Sequence, residues 1–254
     1  MSASVGSNGV ASSAADAAAG QLVRLRARMA GGFYLMVIIA GSVALFLRSG
    51  LVVRGDAAAT ATNILAAEPL FRLGVAAELI ASACYIVVVA LLYGLLLPVS
   101  RSISFVAACI GLAGCIVGAV LQVTFLTTLL LLRGAPDLAA LDPDQLQAIA
   151  LISLKLGEHG TSISFFFFGT YCLLLGYLVL RSTFLPRILG ALLAIAGLAW
   201  VTGSLTMILS PPLAVTLFPY AIPVGGFGEA AFTLWLLVMG LNASRWQDQA
   251  RGRP

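Results

Sequence analysis

Six long apolar runs, each close to the length needed to cross a bilayer, leave this chain few architectures to choose from. A spanning helix needs about 20 apolar residues, and such runs lie near 30–47, 71–97, 103–132, 150–180, 188–209 and 220–241. A membrane strand would instead alternate polar and apolar residues over about ten positions. These runs are continuous, so the expected fold is all-α: a polytopic membrane protein with six transmembrane helices. Composition excludes a soluble domain, with 9% charged residues where soluble chains carry about 25%. The net charge of +4 sits mostly at the ends of the runs and reads as topology rather than nucleic-acid binding.

The first run follows Arg24, Arg26 and Arg28, as a signal peptide would. No small-x-small cleavage site comes directly after it, and Leu47-Arg48-Ser49 stands there instead, so it is kept as a helix. With the N-terminus inside, the inner segments carry Arg24, Arg26, Arg28, Arg101, Arg181, Arg187, Arg245, Arg251 and Arg253. The outer segments carry Arg48, Arg54, Arg72, Arg133 and Lys155. The positive-inside rule then places both termini in the cytoplasm. The chain divides into a cytoplasmic tail at 1–29, expected to be disordered, a membrane domain at 30–241 and a basic cytoplasmic tail at 242–254.

The inner turns are short, which makes the second and third spans, and the fourth and fifth, antiparallel neighbours. The outer loops are longer and carry helix signals. Asp56 is placed as the N-cap of a segment over Ala57 to Ala67, closed by Pro69. Asp142-Pro143 reads as a cap with proline in the first turn, so the fourth span begins outside the bilayer. Cys84, Cys109, Cys115 and Cys172 lie inside apolar runs without ligand spacing and read as small hydrophobes.

The strongly polar groups inside the runs are Glu78, Gln122, the adjacent Glu158 and His159, and Glu229. Each falls roughly 12 to 15 Å from the outer end of its run, at 1.5 Å per residue. Polar groups are expensive in hydrocarbon, and a layer of them marks a candidate site. Residues three and four apart share a helix face. That links Glu78, Ser82 and Tyr85; Lys155, His159 and Ser162; and Glu229 and Thr233. Gly111, Gly114, Gly118 and Gln122 form a further stripe, whose glycines suit close helix packing. Glu158 and His159 sit about 100° apart around their helix, so His159, on the stripe with Lys155, is the preferred member. Pro219, Pro223 and Gly225-Gly226 precede Glu229 and read as the start of the sixth span, where proline costs little. Unwound helix lining a cavity is the other reading.

A structural reading stands beside the functional one. Gln122 can act as interhelical glue, Lys155 and Glu158 are spaced as an i,i+3 pair, and Arg72 can snorkel while neutralising Glu78 or Glu229.

Several segments resemble a known family. They are Gly55-Asp56-Ala57-Ala58-Ala59-Thr60-Ala61, Leu70-Phe71-Arg72-Leu73-Gly74 followed by Glu78, Arg133-Gly134-Ala135-Pro136, and Asp144-Gln145-Leu146-Gln147-Ala148. His159, Leu174-Leu175-Gly176-Tyr177, Phe184-Leu185-Pro186-Arg187-Ile188-Leu189-Gly190 and Gly228-Glu229 continue the pattern. Together, over about residues 25–241, they resemble the bacterial integral membrane family known as domain of unknown function 4386. The resemblance implies a multi-pass protein of the bacterial cytoplasmic membrane with no assigned activity and no catalytic residues to carry over. Glu158 departs from the pattern, in which the position before the histidine is apolar or small.

Three functions remain open. The first is an outward-facing acidic pocket that binds or moves a small molecule or cation, with Glu78, His159, Glu229, Arg72 and Gln122 as ligand-binding residues. The second is a non-catalytic sensor or assembly partner. The third is an intramembrane metal-dependent hydrolase in which Glu78, His159 and Glu229 hold zinc, a ligand count used by catalytic zinc but without an HExxH spacing. No phosphate loop, nucleotide fingerprint or haem motif is visible.

Overall fold

A computed structural model describes residues 4–53, 55–134 and 140–252, with side chains from residue 16 onward except that of Phe218. Arg54 and Arg253 of the charge count, and Ala135-Pro136 of the family resemblance, lie outside these residues. The described chain is helical: α1 Ser4–Ser49, α2 Ala57–Ala66, α3 Glu68–Leu96, α4 Arg101–Leu132, α5 Pro143–Arg181, α6 Arg187–Leu209, α7 Pro211–Val238 and α8 Ala243–Arg251. Six of these, α1 and α3 to α7, are long and apolar enough to cross a membrane, so the protein is a multi-pass membrane protein.

The spans form a closed ring of neighbours, α1–α3–α4–α5–α6–α7, with α7 packing back on α1. Large apolar side chains such as Phe46, Ile116, Val123, Leu209 and Phe227 point away from the ring and are exposed, as lipid-facing residues must be. The α5–α6 seam is built on facing glycines. A Cβ on Gly176 would lie 2.8 Å from the Gly190 carbonyl oxygen, and one on Gly169 would lie 2.9 Å from that of Gly197. Backbones that close gain van der Waals contact where no hydrophobic effect separates protein from lipid tails. The glycines singled out on α4 pack more loosely, against side chains of α5 and α3: Gly114 meets Phe168, and Gly118 meets the Ser164 hydroxyl. That hydroxyl also donates to the Gly114 carbonyl at 2.8 Å.

The two ends of the ring differ. At the α8 end, buried Tyr85, Leu92, Leu96, Tyr171, Leu175, Leu178, Phe232 and Leu236 fill the space between the helices. At the opposite, α2 end, Ile64, Phe71, Val75, Phe125, Leu129 and Leu154 pack between α2, α3, α4 and α5, and a hollow opens beside them. The short α2 seals its edge against α3, α4 and α5. Asp56 caps α2 by accepting from the Ala59 N–H at 2.8 Å, as expected. Pro69, expected to close that segment, instead lies in the first turn of α3, where its missing N–H has no helical partner to lose. The Gln145 side chain accepts from the Asp142 N–H at 3.1 Å, so α5 starts where the sequence signals it.

Three sequence expectations change. Residues 16–29, assigned to a disordered tail, continue α1: Val23 and Ala27 are buried. Residues 242–252 of the second tail also pack. The Trp246 indole donates to the Leu95 carbonyl at 2.8 Å, Gln247 donates to the Asp16 carbonyl at 2.8 Å, and Arg251 pairs with Asp16. Each tail lacks apolar periodicity alone because each buries only a few residues against the other. Finally, α7 starts at Pro211 and runs through Pro219 and Pro223, so those prolines lie inside a helix, not at its start. Their absent N–H groups leave the Val215 and Pro219 carbonyls without helical donors, which membrane helices tolerate when neighbours compensate.

Candidate functional site

The earlier start of α7 breaks the single polar layer. Glu229 is nine residues from the end of α7 at Val238, about 14 Å above the α8 end. Glu78 is eighteen residues from Leu96, or about 27 Å. Gln122 and His159 lie at about 31 and 33 Å by the same measure on α4 and α5. Glu78, Gln122 and His159 therefore lie within about 6 Å of one level, and Glu229 sits about 13 to 19 Å below them.

The hollow at the α2 end is a cavity of about 660 Å³, within the range of small-molecule sites. The end of α1 and the following loop wall one side, through Leu45, Arg48, Ser49 and Val52. The other side is α5, through Leu154, Lys155, Glu158, His159, Ser162 and Phe165, with Phe71, Phe125 and Met207 contributing from α3, α4 and α6. Positions 155, 158, 159 and 162 form one helix face, and the cavity is wide enough to take in the whole arc. Glu158 and His159 thus both line it, although their angular separation argued for only one. Most of the wall is apolar; the charged groups are Arg48, Lys155 and Glu158, joined by His159.

Arg48 is a site member that the sequence does not signal, because the first apolar run ends at Leu47 and Arg48 reads as loop. The helix runs on to Ser49, which turns Arg48 into the bundle. Its Nη2 donates to Glu78 Oε2 at 3.3 Å, its Nε donates to the Ala44 carbonyl at 3.2 Å, and its guanidinium lies 4.5 Å from the centre of the Phe125 ring. Its Nη1 is buried and makes no hydrogen bond. Glu78 does not line the cavity; it fixes Arg48, which does. His159 Nδ1 lies 2.8 Å from the Lys155 carbonyl oxygen. A carbonyl only accepts, so Nδ1 carries the proton and Nε2 is the nitrogen left to a ligand.

Two residues expected to bind ligand are placed elsewhere. Arg72 pairs with Glu68 one turn back, at 2.7 Å, and Arg133 joins the same carboxylate at 2.9 Å. This exposed cluster ties α3 to the end of α4, so Arg72 neutralises neither Glu78 nor Glu229. Gln122 is buried outside the cavity lining. Its amide donates to the Gly118 carbonyl at 3.1 Å, while its Oε1 has no partner.

Glu229 belongs to a second polar group. Tyr34 on α1 donates to its Oε2 at 2.8 Å, and the Trp200 indole on α6 donates to its Oε1 at 2.5 Å. The Tyr34 and Tyr85 hydroxyls are 3.4 Å apart. Tyr34 carried no sequence signal beyond its place in an apolar run, and neither did Trp200. Because Glu229 is held here and Glu78 by Arg48, the proposed Glu78–His159–Glu229 metal triad does not assemble. Among the described residues no group of three or more His, Cys, Asp or Glu side chains is placed to hold a metal ion. Cys115 and Cys172 are buried, whereas Cys109 is exposed.

The sequence profile of the family described as domain of unknown function (DUF4386) matches residues 29–240. The chain belongs to the DUF4386 family. An uncharacterized protein of Archaeoglobus fulgidus is 33% identical to it over 85 residues, which is 32% of this chain and 47% of the relative. The chain thus spans about half the length of that curated relative. No solved structure matches it. The DUF4386 match extends over every element that frames the cavity and over Glu229, so both polar groups lie within the family domain.

Proposed function

We propose that this DUF4386 protein binds a small amphiphile with an anionic head in the cavity between α1 and α5. The observation that carries the reading is Arg48, which lines a largely apolar cavity of about 660 Å³ and whose buried Nη1 makes no hydrogen bond. An unpaired buried donor costs about 1 to 3 kcal/mol, more when charged, and a carboxylate or phosphate oxygen would relieve it. Lys155 adds three further donors from the facing wall, and His159 Nε2 and Glu158 offer acceptors for a hydroxyl. Phe71, Phe125, Phe165 and Met207 suit an alkyl tail. Glu78 positions the guanidinium rather than meeting the ligand. This replaces a cation in an acidic pocket, since two cations, Arg48 and Lys155, face the space against one carboxylate, Glu158, and neither Glu78 nor Glu229 does. By the charge count, the cavity opens on the outer side of a bacterial cytoplasmic membrane, with both termini inside.

The test is equilibrium binding of decanoate and decyl phosphate to the purified chain in nanodiscs, with decyltrimethylammonium as the control. Binding of the anions but not the cation, weakened about tenfold or more by Arg48→Met (about 1.4 kcal/mol), is expected. Equal binding of all three, or anion binding indifferent to Arg48→Met, refutes the reading.

A further inference from the structure

We infer that Glu229, Tyr34 and Trp200 form a proton-binding site, separate from the cavity and linked to it through the ring of Phe165. The linkage half of this rests on the cavity reading above; the proton site does not. Glu229 accepts from Tyr34 at 2.8 Å and from Trp200 at 2.5 Å, and among the described residues it makes no ion pair. The titratable groups that face it are Tyr34 from α1, Tyr85 from α3 and Cys172 from α5; α6 contributes the indole of Trp200. Tyr34 is fully buried.

The hydrogen-bond chemistry accommodates two protonation states without moving a helix. With Glu229 ionised, Trp200 and Tyr34 both donate to it, and Tyr34 accepts from Tyr85 across 3.4 Å. Taking up one proton from solution converts the carboxylate to a carboxyl group, whose O–H donates to Tyr34. Tyr34 then rotates its own hydroxyl and donates to Tyr85. The indole donates to the remaining carboxyl oxygen in both states, because it has no other role. A lysine or arginine in place of Tyr34 would lock one state. A rotatable hydroxyl with a second hydroxyl behind it does not. Spare hydrogen-bonding capacity continues nearby: Thr233, one turn along α7 from Glu229, and Tyr171, whose ring centre is 5.9 Å from that of Tyr85, each bury a hydroxyl that makes no hydrogen bond.

The link to the cavity is a stacked pair. Phe165 lines the cavity, and its ring lies 4.9 Å from that of Trp200 at an interplanar angle of 20°. A tail that displaces Phe165 therefore displaces the indole that donates to Glu229. Linkage is reciprocal, so proton uptake at Glu229 changes affinity in the cavity by the same factor.

Infrared difference spectroscopy of the full chain in nanodiscs, titrated from about pH 4 to about pH 10, reads the site directly. A carboxyl C=O band that appears on acidification and is missing from Glu229→Gln is expected. Its midpoint should move by about half a pH unit or more in Tyr34→Phe and in Trp200→Phe, and in the native chain on adding decanoate. The two aromatic variants carry the test if Glu229→Gln does not fold. Loss of no titrating band in Glu229→Gln, or midpoints unmoved in both aromatic variants, overturns the proton site. A midpoint unmoved by decanoate that dialysis shows to be bound overturns the linkage. A titrating, Tyr34-sensitive band in a chain that binds no decanoate supports the proton site while the cavity reading fails.

Discussion

Neutralising one member of the Arg48–Glu78 pair is expected to destabilise the protein far more than neutralising both. The closest N···O distance is 3.3 Å, with side chains 17% and 26% exposed. At an effective dielectric of about 20, charges at that separation attract by about 5 kcal/mol. Removing one partner of a buried pair typically costs about 3 to 5 kcal/mol, because the other charge is left behind. Partial exposure lowers this, and the Phe125 face continues to hold the guanidinium, a contact worth about 0.5 to 2 kcal/mol. We therefore expect Glu78→Gln and Arg48→Met each to cost about 2 to 3 kcal/mol. The double variant should cost about 1 kcal/mol or less, since neutral replacement of an ion pair is often nearly free. The assay is reversible unfolding in mixed micelles, analysed as a double-mutant cycle, which isolates the pair if each change only removes it. Single costs below about 0.5 kcal/mol, or a double cost equal to the sum of the singles, would refute the reasoning.

Two further outcomes test the frame that holds the site. Gly176→Val is expected to be severely destabilising, since its Cβ alone would lie 2.8 Å from the backbone oxygen of Gly190; Gly226→Ala, which meets nothing within 4 Å, should fall within about 0.5 kcal/mol of native in the same unfolding assay. Trp246→Phe removes the donor to Leu95 and should cost about 1 kcal/mol, with amide exchange accelerated in α8.

The six spans were legible because a bilayer demands long apolar runs, and no tertiary contact is needed to read them. The caps at Asp56 and Asp142 were legible for the same reason: each is a local hydrogen bond. Span ends were not, since a helix continues wherever neighbours cover it. Two residues at the end of α1 decided whether Arg48 was loop or site, and nine residues at the start of α7 decided whether Glu229 shared a level with Glu78. Both of those carboxylates were found from their cost in hydrocarbon, but their partners were not. Tyr34 and Trp200 look like ordinary apolar-run aromatics until three helices bring them to one carboxylate. The α5–α6 seam hid likewise, because Gly169 and Gly176 matter only opposite Gly197 and Gly190.

The central claim is that an anionic amphiphile seats its head at Arg48 and its tail toward Phe165. Photo-crosslinking with a fatty acid carrying a diazirine at the end of its tail, followed by peptide mapping, measures that placement directly. Labelling at Phe165, Ser162 or Met207, suppressed by excess decanoate and by Arg48→Met, is the result the claim requires. Labelling confined to lipid-facing residues such as Ile116, Val123 or Leu209 would contradict it.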